Sequence, residues 1–231
     1  MKTDNHISDS IFISYYTTEG NYPALAEKLI LSLNKFNLKH EIKLRHPFTS
    51  WEEGVSYKPS FILERLIKHR KTVIWLDIDT EIWQYPSLLF EKHDFAIYNW
   101  FADNNHHLDE RINYNPKSEK LLCAGGVQKY GYTAPAIELL LQWISLTNKL
   151  RVKKNNDPIL DEAFNSFNPP VKPLWLPKTY NRMDKHTHHW SSIDTSQVVI
   201  NHDYVGGNHR TSKNKEILRK QLLVSKKKTY T

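Results

Sequence analysis

The residues with the clearest chemical potential are Asp77 and Asp79, two carboxylates one residue apart at the end of Thr72-Val73-Ile74-Trp75-Leu76. That run is β-branched and aromatic and too short for a helix, so it predicts a buried strand. Side chains two apart on an extended strand share a face, which would bring both carboxylates together at the strand's carboxyl end. Open α/β sheets bind ligands just beyond such ends. Two like charges there repel, and a hard divalent cation taking oxygen ligands relieves the repulsion. A solvated turn is the competing reading, because aspartate also favours turns.

Further groups of chemical interest stand downstream. Gly125-Gly126 interrupt the apolar stretch from Leu121 to Val127, and paired glycines let backbone approach a ligand closely; turn glycines are the rival reading. Asp161 and Asn165 are four apart and share a helix face, with Glu162 beside them, although acids favour a helix's first turn in any case. His202 ends the apolar run Val198-Val199-Ile200-Asn201. Arg210 follows Gly206-Gly207-Asn208-His209, and its guanidinium could clamp phosphate oxygens. His186, His188 and His189 cluster before Trp190 without the regular spacing or cysteines of a zinc site, and read as a polar loop.

Strand patterns at Ile11–Thr17, Glu41–Leu44, Thr72–Thr80, Asp94–Trp100 and Leu121–Val127 must position these groups. They alternate with helical spacing at Ala24–Asn37, at a segment opened by Pro59, and at Thr133–Asn148. Such alternation points to an α/β domain with a largely parallel sheet. Pro59 suits a first helical turn, which would place Lys58 at the helix's positive end, where a diphosphate could bind. Leu174-Trp175-Leu176-Pro177 reads as an edge strand, since proline is confined to such places. The polar stretch Asp103–Lys120 reads as a mobile loop able to close over substrate.

The ordered set of segments resembles the nucleotide-diphospho-sugar transferases, glycosyltransferases of the GT-A fold. It comprises Lys58-Pro59, the Asp77-x-Asp79 strand, Pro86-Ser87-Leu88-Leu89, Cys123-Ala124-Gly125-Gly126-Val127, Leu160 to Asn165, Leu176 to Asn181 and His202, and spans residues 10 to 210. The resemblance implies a single Rossmann-like domain over residues 1–209 with a mostly parallel central sheet flanked by helices. It implies Tyr15 and Thr17 at the nucleotide, where a ring can stack on a base and a hydroxyl can bond its edge. Lys58, Asp77, Gly125, Gly126 and Arg210 would complete the nucleotide-sugar site. His202 would join Asp77 and Asp79 as third ligand of Mn²⁺ or Mg²⁺. Asp161 or Glu162 would contact the donor sugar or take the acceptor's proton. The family pattern has Gln where Glu162 stands, which leaves open which carboxylate faces the sugar.

Charge is unevenly placed. From Arg210 onward stand eight basic residues and one acid, so the last 22 residues carry the whole formal charge of +7 and the rest is balanced. Ile217, Leu218, Leu222 and Leu223 lie among those cations at helical spacing, suiting an anionic membrane surface or nucleic acid. The lone cysteine, Cys123, excludes an internal disulfide and suits a reducing cytosol. A polar N-terminus and the lack of any spanning apolar run agree with a cytoplasmic address. The expected activity is metal-dependent transfer from a nucleoside-diphosphate sugar, UDP-sugar foremost, to a glycan or glycolipid hydroxyl. Alternatives are transfer to hydroxylated bases in DNA, a non-catalytic carbohydrate- or nucleic-acid-binding fold, and a haloacid-dehalogenase-type phosphatase. That phosphatase motif wants Thr or Val where Glu81 stands.

Overall fold

In chain order the elements are β1 (Ser10–Tyr16), α1 (Tyr22–Lys35), β2 (His40–Leu44), α2 (Trp51–His69), β3 (Thr72–Leu76) and β4 (Thr80–Ile82). After them come β5 (Phe95–Asn99), β6 (Cys123–Tyr130), α3 (Ala134–Leu150), α4 (Asn156–Asn165), β7 (Pro173–Leu176) and β8 (Ile200–His202). The structure, a computed structural model, describes residues 9–102, 117–150, 156–166, 171–183 and 193–202. Six strands form the main sheet in the order β2-β1-β3-β6-β5-β7, and β4 pairs with β8 apart from it. Only β6 runs against the other five, so the sheet is mostly parallel, as expected. β7 closes one edge, where its Pro173 costs no ladder bond.

Strand alternation builds a core on each face. Val73 and Trp75 of β3 join Phe61, Ile62 and Leu66 of α2, Leu139, Leu140 and Trp143 of α3, and Ile159 and Leu160 of α4. Ile74 and Leu76 point the other way, onto Leu29 and Leu33 of α1, Leu89 and Ile200. Trp143 is fully buried, and truncating it to Ala would cost roughly 3–5 kcal/mol. No helix among the described residues is long and apolar enough to cross a membrane.

Two local expectations are corrected. The helix of Lys58 does not open at Pro59. It starts at Trp51, capped by the Ser50 hydroxyl, which accepts from the Glu53 amide at 3.1 Å, with Glu52 and Glu53 in its first turn. Pro59 therefore lies inside α2 and denies the Val55 carbonyl its usual N–H partner. The Asn156 side-chain amide, from the start of α4, donates to that carbonyl instead. The second correction concerns the acid pair. β3 stops at Leu76, and the Thr80 amide and hydroxyl both bond the Asp77 carbonyl, at 3.0 and 2.7 Å. Asp77 and Asp79 thus sit in a turn, not on an extended strand.

Candidate active site

The turn after β3 and the end of β8 meet because β4 pairs antiparallel with β8, setting Thr80 opposite His202. His202 Nε2 then lies 3.1 Å from Asp79 Oδ1 and 3.8 Å from Asp77 Oδ2. One donor atom from each of Asp77, Asp79 and His202 falls within 4.8 Å of the other two. Two carboxylates and an imidazole are a donor set that suits a divalent cation such as Mn²⁺ or Mg²⁺. Burial lowers the His202 pKa, but the Asp79 and then the Asp77 carboxylates outweigh it and leave the value raised.

Asp77 is held from behind. Its Oδ1 accepts from Trp75 Nε1 at 2.7 Å and pairs with Lys58 Nζ at 2.8 Å, leaving Oδ2 toward His202. Lys58 is only 7% exposed, lies 5.0 Å over the Trp75 ring and donates to the Gly125 carbonyl at 3.1 Å. It reaches this place from the interior of α2, not from a helix end, so no helix dipole accompanies it.

The glycine pair makes room for side chains. A Cβ on Gly125 would stand 2.4 Å from Asp157 Oδ1, and one on Gly126 would stand 2.4 Å from His202 Nδ1. Asp157 accepts from the Gly125 amide through Oδ2 at 3.2 Å. Burial raises its pKa, the positive charge of Lys58 opposes that, and Asp77 adds to it. Asp157 therefore belongs to the same polar group as Lys58 and Asp77. Its spacing was the available signal, since Asp157, Asp161 and Asn165 stand at i, i+4 and i+8 on one helix face. Tyr22, at the start of α1, is a second addition. Burial raises its phenol pKa, and the charges of Asp79, Glu19 and Asp77 push the same way.

Four of the remaining expected residues are described. Asp161 accepts from the Cys123 amide at 2.9 Å, and burial pushes its carboxyl up to about 7. Glu162 points to solvent on α4. The Tyr15 hydroxyl donates to the Gly54 carbonyl at 2.7 Å, and its ring packs among Phe48, Tyr57, Phe61 and Trp75. Its hydroxyl hydrogen and its ring are thereby engaged within the protein. Thr17 is buried at the end of β1, and its hydroxyl has no partner among the described residues. Arg210, the basic tail, residues 103–116 of the expected loop and the His186, His188 and His189 cluster lie outside the described residues.

No protein-family model and no curated protein matches the sequence. Among solved structures, the chain is similar to a glycosyltransferase involved in the glycosylation of the major capsid of PBCV-1. That match has a TM-score of 0.58 and 12% identity, covering 84% of this chain and 92% of the other. It is also similar to the glycosyltransferase GlyE of Streptococcus pneumoniae TIGR4, with a TM-score of 0.50 and 17% identity over 84% of this chain. The chain spans 54% of GlyE's length. Its fold is accordingly that of glycosyltransferases, the architecture that the ordered motifs resembled.

Proposed function

We propose that this protein is a divalent-cation-dependent glycosyltransferase that moves a sugar from a nucleoside-diphosphate sugar to a hydroxyl of a glycan. The observation that carries this reading is the convergence of Asp77, Asp79 and His202 within 4.8 Å at the carboxyl end of a central strand. Asp77 Oδ2, Asp79 and His202 Nε2 would hold Mn²⁺ or Mg²⁺. When bound, that cation supplies positive charge to the diphosphate leaving group.

The chain's own residues do the rest. Lys58 and Trp75 fix the Asp77 rotamer, so that one carboxylate oxygen faces the site before any ligand arrives. Asp157, bonded to the Gly125 amide near Lys58, would accept from a hydroxyl of the donor sugar. Of the carboxylates on α4 it takes the substrate-facing role in this reading, since it lies within reach of the charges of Lys58 and Asp77, while Glu162 points to solvent. The single cysteine supports work in a reducing compartment.

A glycan acceptor is favoured over DNA or a phosphate ester because the solved neighbours are glycosyltransferases, one of them involved in capsid glycosylation. The test is a thermal-shift screen of nucleoside diphosphates and nucleotide sugars with and without Mn²⁺. A ligand at 100 times its Kd should stabilise the native state by about 2.7 kcal/mol. A shift for one nucleoside diphosphate that requires the cation is expected. Equal shifts with and without Mn²⁺ would remove the cation from the reading.

A further inference from the structure

Helix α4 lies along β6 where β3 leaves off. The β3–β6 ladder ends at Leu76 opposite Val127, with one further bond from the Asp77 amide to the Gly126 carbonyl at 2.8 Å. Upstream, β6 and the residues before it face β5 on one edge only. There Ala124 pairs with Tyr98, the Leu122 amide donates to Asn99 Oδ1 and the Leu122 carbonyl accepts from Trp100. On the other edge, the amides of residues 121, 123 and 125 each meet a side chain of α4. Leu121 donates to Asn165 Oδ1 at 2.8 Å, Cys123 to Asp161 Oδ1 at 2.9 Å and Gly125 to Asp157 Oδ2 at 3.2 Å. Asn165 Nδ2 also donates back to the Leu121 carbonyl at 3.0 Å, the reciprocal exchange that a strand residue makes.

Geometry explains why a helix can do this. Four helical residues advance about 6.0 Å and two strand residues about 6.6–6.8 Å, so the two stay in step over three contacts. Asn156 secures the start of the helix by donating to the Val55 carbonyl that Pro59 left open.

We propose that α4 acts as a surrogate strand, with Asp161 and Asn165 as positioning residues that fix the backbone of residues 121–126. That backbone carries the Gly125 carbonyl bonded by Lys58, the amide bonded by Asp157, and the Gly126 carbonyl that anchors Asp77. In this role Asp161 works as a hydrogen-bond acceptor, and its charge is not required. An Asn at 161 offers the same acceptor oxygen, whereas Ala offers none.

The catalytic consequence rests on the glycosyltransferase reading, but the ladder does not, and the experiment separates them. Amide hydrogen exchange is measured by mass spectrometry on peptides covering residues 119–126 of the full chain, alongside kcat and KM for donor hydrolysis. Asp161→Asn should keep the exchange of the parent and a kcat within about threefold of it, as rescue by a conservative variant requires. Asp161→Ala should speed exchange at residues 121–126 by at least about tenfold and lower kcat more than it raises KM. Asn165→Ala, at the exposed end of α4, gives a milder variant whose faster exchange centres on Leu121. Parent-like exchange in both alanine variants would overturn the ladder. Native exchange with lost turnover in Asp161→Asn would make Asp161 a catalytic carboxylate and overturn its positioning role. If the parent shows no transfer with any donor, the exchange arm still decides whether α4 holds the wall.

Discussion

Asp79 and His202 meet only because two short strands pair, and removing either should have a different cost. Asp79→Ala deletes a charged ligand, and should weaken Mn²⁺ binding by more than the roughly 10–100-fold typical of losing a ligand's hydrogen-bonded support. His202→Ala deletes a neutral ligand and should stay near the lower end of that range. Titration of Mn²⁺ by electron paramagnetic resonance checks both, and parent-like affinity in Asp79→Ala would remove it from the cation site. A pH dependence also belongs to single residues. Asp161's folded pKa of about 7 lies above that of a free carboxyl, so the folded state binds its proton more tightly. Stability contributed by that proton is present at low pH and is lost as pH rises from about 4 to 7. Asp161→Asn should flatten this part of the Tm–pH curve, and an unchanged slope would show that Asp161 is not the group responsible. The acid pair was legible in the sequence by spacing, although a turn, not strand alternation, brings it together. Lys58 was legible as a candidate for the wrong reason. Pro59 suggested a helix start, yet the side chain of Asn156 satisfies the carbonyl that Pro59 orphans, which lets the helix run through.

At the scale of elements, alternating strand and helix patterns foretold β1, α1, β3, β5, β6, α3 and β7 with boundaries a few residues off. Local signals of burial and turn chemistry suffice for these, because each element must hide one face in any fold. What the sequence left dark was long-range pairing. Nothing near Asp157 announces that a helix will lie along β6 as a strand would, because its partners are backbone amides 32 to 44 residues away. Likewise Gly125-Gly126 read as space for a ligand, whereas the space is filled by Asp157 and His202. Gly126→Ala puts a Cβ 2.4 Å from His202 Nδ1 and 2.8 Å from Asn181 Oδ1. The imidazole must shift, so a destabilisation of about 1–3 kcal/mol and weaker cation binding are expected together. Chemical denaturation and Mn²⁺ titration of this variant measure the two, and an unaffected cation affinity would place His202 outside the binding geometry.

For the whole molecule, one face of a mostly parallel sheet is buried under α2, α3 and α4, the carboxyl end of its β3 leads into the turn of Asp77 and Asp79, and β8 of the small sheet brings His202 to them. The balanced charge of residues 1–209 and the excess after them suggest a division of labour between chemistry and attraction of an anionic acceptor. Deleting residues from Lys213 onward should spare donor hydrolysis while weakening transfer to an anionic acceptor, and the difference should fade as salt screens the attraction. Equal salt sensitivity with and without the tail would show that it plays no such part. Cation-dependent sugar transfer itself is read most directly by release of nucleoside diphosphate from a panel of nucleotide sugars, with Mn²⁺ and after chelation. The expected result is release from one donor that stops on chelation, returns with Mn²⁺ and is lost in Asp79→Ala. Release that continues at the same rate after chelation and in Asp79→Ala, or none from any donor with Mn²⁺ present, would contradict it.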